Sequence, residues 1–267
     1  MDVHGEGRSG TGLRKKRPRR ETGEMKWHFQ ETPQDNWDLT ATQPMTLDAN
    51  TGIWSYSGAK ATLDRQFYRF EVQVYHPLTK KVETIEATDP YSLNTATNGR
   101  YSQFVSLADA DTKPANWDSH EVPVVANAED TVIYEGHIRD FSVRDTSVSA
   151  ANRGKYLAFT EMESQPVKHL KALADAGLTH FHLLPATDMA TVNEDASKRV
   201  DLNNTVADLC KINATAPVCL MNASTKLEDV MKGYQNSGEN AQALAQAMRG
   251  TDSFNWGYDP HHFNVPE

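Results

Sequence analysis

The chain is 267 residues long, 38% apolar and 24% charged, with a formal net charge of −9. Residues 1–20 hold seven Lys/Arg against two Asp/Glu, a net of +5, which leaves −14 for the remainder. An acidic body repels phosphates instead of replacing their counterions, which argues against nucleic acid, and no apolar run approaches the roughly 20 residues of a membrane span.

Residues 1–24 are rich in Gly, Ser and Arg, lack apolar periodicity and are expected to form a disordered basic tail. Arg14-Lys-Lys-Arg-Pro-Arg-Arg20 has the composition of a nuclear-localisation or nucleic-acid patch. A solvated extension is the simpler reading, because nothing after residue 24 suits a nuclear protein. No apolar h-region follows the tail, so no signal peptide is predicted.

Residues 25–122 read as an all-β module. Phe67–Tyr75 is the clearest strand: Tyr68, Phe70, Val72 and Val74 alternate with Arg69, Glu71 and Gln73. His76–Lys80 supplies a turn and Lys81–Glu86 a returning strand, with Gly52–Tyr56 a short strand before them. A β-sandwich is the expected architecture. Residues 123–130 are the predicted linker, with Pro114, Asn116-Trp-Asp118 and Pro123 marking the approach to it.

The grammar changes at residue 131. Thr131–Glu135 starts a predicted buried strand with Arg139, Asp140 and Phe141 at its C-terminal end. Arg139 and Asp140 are adjacent, so on a strand they point to opposite sides and offer no acid/base pair. A helix is expected from a Ser164 cap through Ala176, with Val167, Leu170, Leu173 and Ala174 as its apolar stripe and Gly177 as its stop. Leu178–Leu184 is a second short strand closed by Pro185, and strand, helix, strand with short joins is a parallel βα unit. His180 and His182 share one strand face, but two ligands without further partners do not make a metal site, and no metal is assigned.

Residues 186–254 are a long polar excursion. Leu227, Val230, Met231 and Tyr234 fall at helical spacing, and a second helix is expected over residues 240–249. Asn203, Asn213 and Asn222 open matches to the glycosylation sequon, which chance explains in so Asn-rich a segment. Cys210 and Cys219 read either as free thiols or as a disulfide. A clip closing a loop in a long irregular segment is the preferred reading, and it implies an oxidising compartment.

The chain closes on Asn255-Trp-Gly-Tyr-Asp-Pro-His-His-Phe-Asn-Val-Pro-Glu267. Two large aromatics, an amide and a carboxylate within six residues suit a site that stacks a sugar ring and bonds its hydroxyls. Together with Tyr134-Glu-Gly-His-Ile-Arg-Asp-Phe-Ser142 and Gly177-Leu-Thr-His-Phe-His-Leu-Leu-Pro185, this segment resembles pullulanases, the α-1,6-glucan debranching branch of the α-amylase superfamily. The likeness runs over residues 50–267, with the three motifs in family order. It implies a starch-binding-type β-sandwich over 25–122, followed by the first part of a catalytic (β/α)8 TIM barrel over 131–267, the barrel incomplete. Tyr258 becomes the aromatic floor of a sugar subsite, with Asp259 and Asn255 shaping the loop or contacting hydroxyls, while Trp256 reads as a buried loop anchor. A cysteine pair in the corresponding insertion supports the Cys210–Cys219 bond.

Retaining hydrolysis in that family needs an Asp nucleophile and a Glu acid/base about 5–5.5 Å apart, and neither of the segments carrying them occurs in these residues. No catalytic residue is therefore assigned. The expected chain is an N-terminal fragment of a pullulanase, inactive alone, whose partners are α-glucans such as pullulan, starch or glycogen. It is expected to be a monomer, extracellular or on the cell surface in a bacterial parent. Calcium is implied by the resemblance only, with no ligands assigned, and no other cofactor is expected. The alternative is a stand-alone α-glucan-binding protein, for which a barrel substrate loop would have no use.

Overall fold

In a computed structural model, residues 42–267 are described, together with the backbones of two strands within the first 30 residues. Apart from the first of these strands, the expected basic tail, including Arg14–Arg20, lies outside the described residues. In chain order the strands and helices begin with β1 (Asp2–His4), β2 (Met25–Gln30), β3 (Thr42–Pro44), β4 (Thr46–Asp48), β5 (Ile53–Ser55), β6 (Ser57–Ala59), α1 (Lys60–Leu63), β7 (Phe67–His76), β8 (Lys81–Ala87) and β9 (Ser102–Gln103). There follow β10 (Ile133–Gly136), α2 (Ile138–Ser142), α3 (Gln165–Asp175), β11 (His180–Leu183), β12 (Thr187–Met189), α4 (Val206–Ile212), α5 (Leu227–Lys232), α6 (Glu239–Met248) and β13 (Pro260–Pro266). No helix among the described residues is long and apolar enough to cross a membrane.

Contacts group the described residues into two units. One runs through Val105, resumes over Asp188–Asn255 and ends with His261–Val265; the other takes Ser106–Thr187, Trp256–Pro260 and Pro266–Glu267.

In the first unit, β7 is the organising strand. It pairs antiparallel with β2, β8 and β9, and β3 adds to β2, so one five-stranded antiparallel sheet results. The β7–β8 turn is closed by Lys80 N–H donating to the His76 carbonyl at 2.8 Å, with Lys80 at φ 55°. Alternation along β7 sends Tyr68 and Phe70 toward one cluster with Met45, Leu63 and Phe104, against which Trp54 and Tyr56 also pack. Tyr68 stacks on Phe104 at 4.2 Å between ring centroids. On the other face Arg69 bonds Glu86 at 2.8 Å. Two two-stranded pairs, β1–β6 and β4–β5, accompany the sheet.

The same unit holds a second core, within the polar excursion for which two helices were expected. Val200, Val206, Leu209, Val218, Leu227, Val230, Leu244 and Met248 are buried together, and Cys210, Cys219, Met231 and Tyr234 pack against them. The helix α4 was not foreseen. It begins with a reciprocal cap, Thr205 Oγ1 accepting from Asp208 N–H while the Asp208 carboxylate accepts from Thr205 N–H. Helices α5 and α6 present stripes to the same core, so a polar composition is compatible with one apolar face on each of three short helices. Cys210 in α4 and Cys219 are joined by a disulfide with 5.7 Å between Cα atoms. Asn213 and Asn222 accept from Thr215 and Ser224 in local turns, which accounts for the spacing of both sequon-like triplets.

In the second unit, β10 and β11 pair in parallel with Tyr134 opposite Phe181, joined through α2 and α3. No closed barrel is present among the described residues. Strand β10 was expected to be buried, yet Ile133 is 61% exposed. With only two strands in this sheet, its apolar residues have partners on one side: Phe141 and Phe159 stack at 4.0 Å, and Phe181 and Tyr134 extend that aromatic layer. The stop of α3 follows expectation: Gly177 at φ 110° lets Leu178 N–H reach the Leu173 carbonyl and Gly177 N–H the Ala174 carbonyl. Ser164 occupies the cap position without capping; Ser147 Oγ accepts from Gln165 N–H instead, and Ser164 Oγ is buried without a partner.

Candidate functional site

The Asn255–Pro260 loop is shaped by a glycine. Gly257 sits at φ 75°, and a Cβ there would stand 2.2 Å from the carbonyl oxygen of Pro185, so any side chain would push the loop off the residue that closes β11. On either side the chain turns its aromatics outward. Tyr258 is 67% exposed and Trp256 57% exposed, and Asp259 is exposed beside them. The expectation that Trp256 is a buried anchor is corrected: the close approach at Gly257 fixes the loop, and the indole is left at the surface. Asn255 is half-buried, and its amide donates to the Ser253 carbonyl at 3.1 Å, a bond within the turn. The structure thus gives Tyr258 and Asp259 a common exposed loop, while the Asn255 amide serves the local backbone.

Arg139 and Asp140 differ from expectation because the strand ends at Gly136. They lie in α2, where adjacent side chains bond directly, Arg139 Nε to Asp140 Oδ1 at 2.9 Å. That bond, with the guanidinium charge, holds the Asp140 carboxyl below its ordinary range. Burial, aided by the Arg139 charge, lowers His137, whose Nδ1 accepts from Arg139 N–H at the start of α2. His180 and His182 are both exposed; His182 Nδ1 lies 3.6 Å from Glu135 Oε1, and His180 meets Thr179 Oγ1 at 2.9 Å. Neither belongs to a group of three ligating side chains among the described residues.

A second constellation, in the first unit, was missed. His262 in β13 is buried between Asp188, whose Oδ2 lies 2.5 Å from its Nδ1, and Thr88, whose Oγ1 lies 2.8 Å from its Nε2. His261 Nδ1 is 3.6 Å from the same Asp188 oxygen. Beside them, Asn98 and Glu194 exchange two bonds: Asn98 N–H to the carboxylate at 2.9 Å and Glu194 N–H to the amide oxygen at 2.8 Å. A third, partly buried network joins Tyr68 O–H to Asp89 at 2.8 Å, and Asp89 N–H to Ser102 Oγ at 2.9 Å. Burial first, and then the Asp89 charge, push the Tyr68 phenol far above its ordinary value. The partners of His262 lie 74 and 174 residues away, so no local spacing announces them.

Comparison with known proteins places these features in a family context. Residues 189–254 match the Pullulanase Ins domain, the span that contains the second core. The chain is 42% identical over 243 residues to a pullulanase of Klebsiella aerogenes, covering 86% of this chain and 22% of that protein. It is 36% identical to the chloroplastic pullulanase 1 of Arabidopsis thaliana over 83% of this chain and 20% of that one. The crystal structure of Klebsiella pneumoniae pullulanase complexed with maltotriose superposes with a TM-score of 0.80 at 38% identity, over 91% of this chain and 24% of that chain. The chain is therefore a homologue of pullulanases along most of its length, and it spans about a fifth of the curated relatives it matches.

Proposed function

We propose that this chain is the α-glucan-handling portion of a pullulanase-type glycoside hydrolase that cleaves α-1,6 branch links with retention of configuration. Residues 25–122 act as a starch-binding-type β-sandwich, and residues 131–267 supply the opening of a (β/α)8 barrel, interrupted in sequence by the helical core of residues 189–254. The five-stranded sheet around β7 supports the first assignment, and the parallel β10–α3–β11 unit the second. The observation that carries the reading is the Asn255–Pro260 loop, with Tyr258 exposed to solvent beside a glycine whose Cβ would stand 2.2 Å from the Pro185 carbonyl oxygen. A tyrosine face held open in this way suits the apolar C–H face of a glucosyl ring, and the neighbouring Asp259 can accept from its hydroxyls. The maltotriose bound by the Klebsiella pneumoniae relative supports an α-glucan as ligand. An extracellular or cell-surface setting fits the Cys210–Cys219 bond.

Binding without turnover is the expected behaviour, because the residues present include no nucleophile and acid/base pair. Affinity electrophoresis should show the purified chain retarded in gels containing pullulan and unretarded in dextran, with no reducing ends released from pullulan above a buffer blank. Equal mobility in pullulan and dextran would remove the glucan-binding assignment. Release of reducing ends would show that these residues hold a complete catalytic pair.

A further inference from the structure

We propose that Asp188, His261 and His262 form a binding site for a divalent transition-metal ion of the zinc class. One ligand atom from each of the three lies within 4.8 Å of the others. Two imidazole nitrogens and one carboxylate oxygen are a donor set that zinc and cobalt take readily, and calcium, which prefers six to eight oxygens, does not.

Three features beyond the cluster itself point to a cation. Asp188 is fully buried, and its Oδ1 has no hydrogen-bond partner, so half of the carboxyl group is stranded away from water. An ion held at Oδ2 between the two imidazoles would compensate this buried carboxylate. Room exists at the ligand atoms because Gly99 has no Cβ: one built there would stand 2.6 Å from His261 Nδ1 and 2.7 Å from Asp188 Oδ2. Finally, His262 has the supporting partner that metal-bound histidines characteristically have, Thr88 Oγ1 at 2.8 Å from the ring nitrogen away from the site.

Without an ion, His262 pairs with Asp188 at Nδ1 and with Thr88 at Nε2. In the ligating form, the ring proton lies at Nε2 with Thr88 Oγ1 as its acceptor, and Nδ1 presents its lone pair to the ion. The His262–Asp188 contact must widen from 2.5 Å to about 3.3 Å for tetrahedral ligation at about 2.0–2.1 Å. His261, with a side chain 41% exposed, forms the open side through which the ion enters and water completes the coordination.

Titration of the chelator-treated full chain with Co2+ should give visible d–d bands that saturate at one equivalent, and Zn2+ should displace the Co2+ and raise the melting temperature. His261→Gln alters an exposed ligand and leaves the fold intact by circular dichroism, yet should weaken Co2+ binding at least ten-fold. Thr88→Val should weaken it about 10- to 100-fold through its effect on His262. The His180→Gln/His182→Gln double variant should bind as the parent does. Absence of saturable binding, binding unchanged in His261→Gln, or binding lost in the His180/His182 variant would each overturn the site.

Discussion

At the scale of single residues, Tyr68 shows what one specific polar partner implies for stability. Its phenol donates to Asp89 from a buried position, and burial together with the Asp89 charge raises its pKa well above the ordinary 10.0. The fold therefore holds the protonated form. Below pH 10.0 the contribution is complete; as pH rises through that value the unfolded chain loses the proton first, and stability falls. Tyr68→Phe should cost about 1–3 kcal/mol at neutral pH, because Asp89 loses a donor. It should also flatten the fall in melting temperature above pH 10. An alkaline profile identical in slope to that of the parent would contradict the assignment of the buried phenol.

At the scale of elements, the helical core over residues 200–248 depends on short helices that could not persist alone. The Cys210–Cys219 bond ties α4 to the segment that follows it. Replacing both cysteines with serine should lower the stability of this region by about 2–3 kcal/mol. Alkylation without reductant should modify neither cysteine, whereas two reactive thiols in protein made in an oxidising compartment would contradict the bond. The elements differ in how plainly the sequence announces them. The alternation along β7, the stop at Gly177 and the stripe Leu227, Val230, Met231 and Tyr234 were legible, because each is a local pattern set by one element's own period. Helix α4 was not foreseen, because its cap, Thr205 with Asp208, lies in a run of polar residues and its core positions are few. The outward turn of Trp256 and the Asp188–His262–Thr88 chain were not legible at all. The first follows from the close approach of Gly257 to Pro185, the second from contacts between residues far apart in sequence.

At the scale of the whole molecule, an acidic body, an antiparallel sheet and a parallel βα unit fit a protein that handles a neutral polymer. Attraction to such a ligand comes from ring faces and hydroxyl partners, because a glucan offers no charge to steer by. The proposed glucan-binding role therefore rests on Tyr258. Titration calorimetry of the 267-residue protein with maltotriose, repeated with Tyr258→Phe and Tyr258→Ala, tests it most directly. The stacking face survives in Phe and is lost in Ala, so the parent and Tyr258→Phe should bind with similar affinity. Tyr258→Ala should bind on the order of ten-fold more weakly, equivalent to about 1.4 kcal/mol. No saturable binding by the parent, an alanine variant that binds as the parent does, or a phenylalanine variant as impaired as alanine would contradict it.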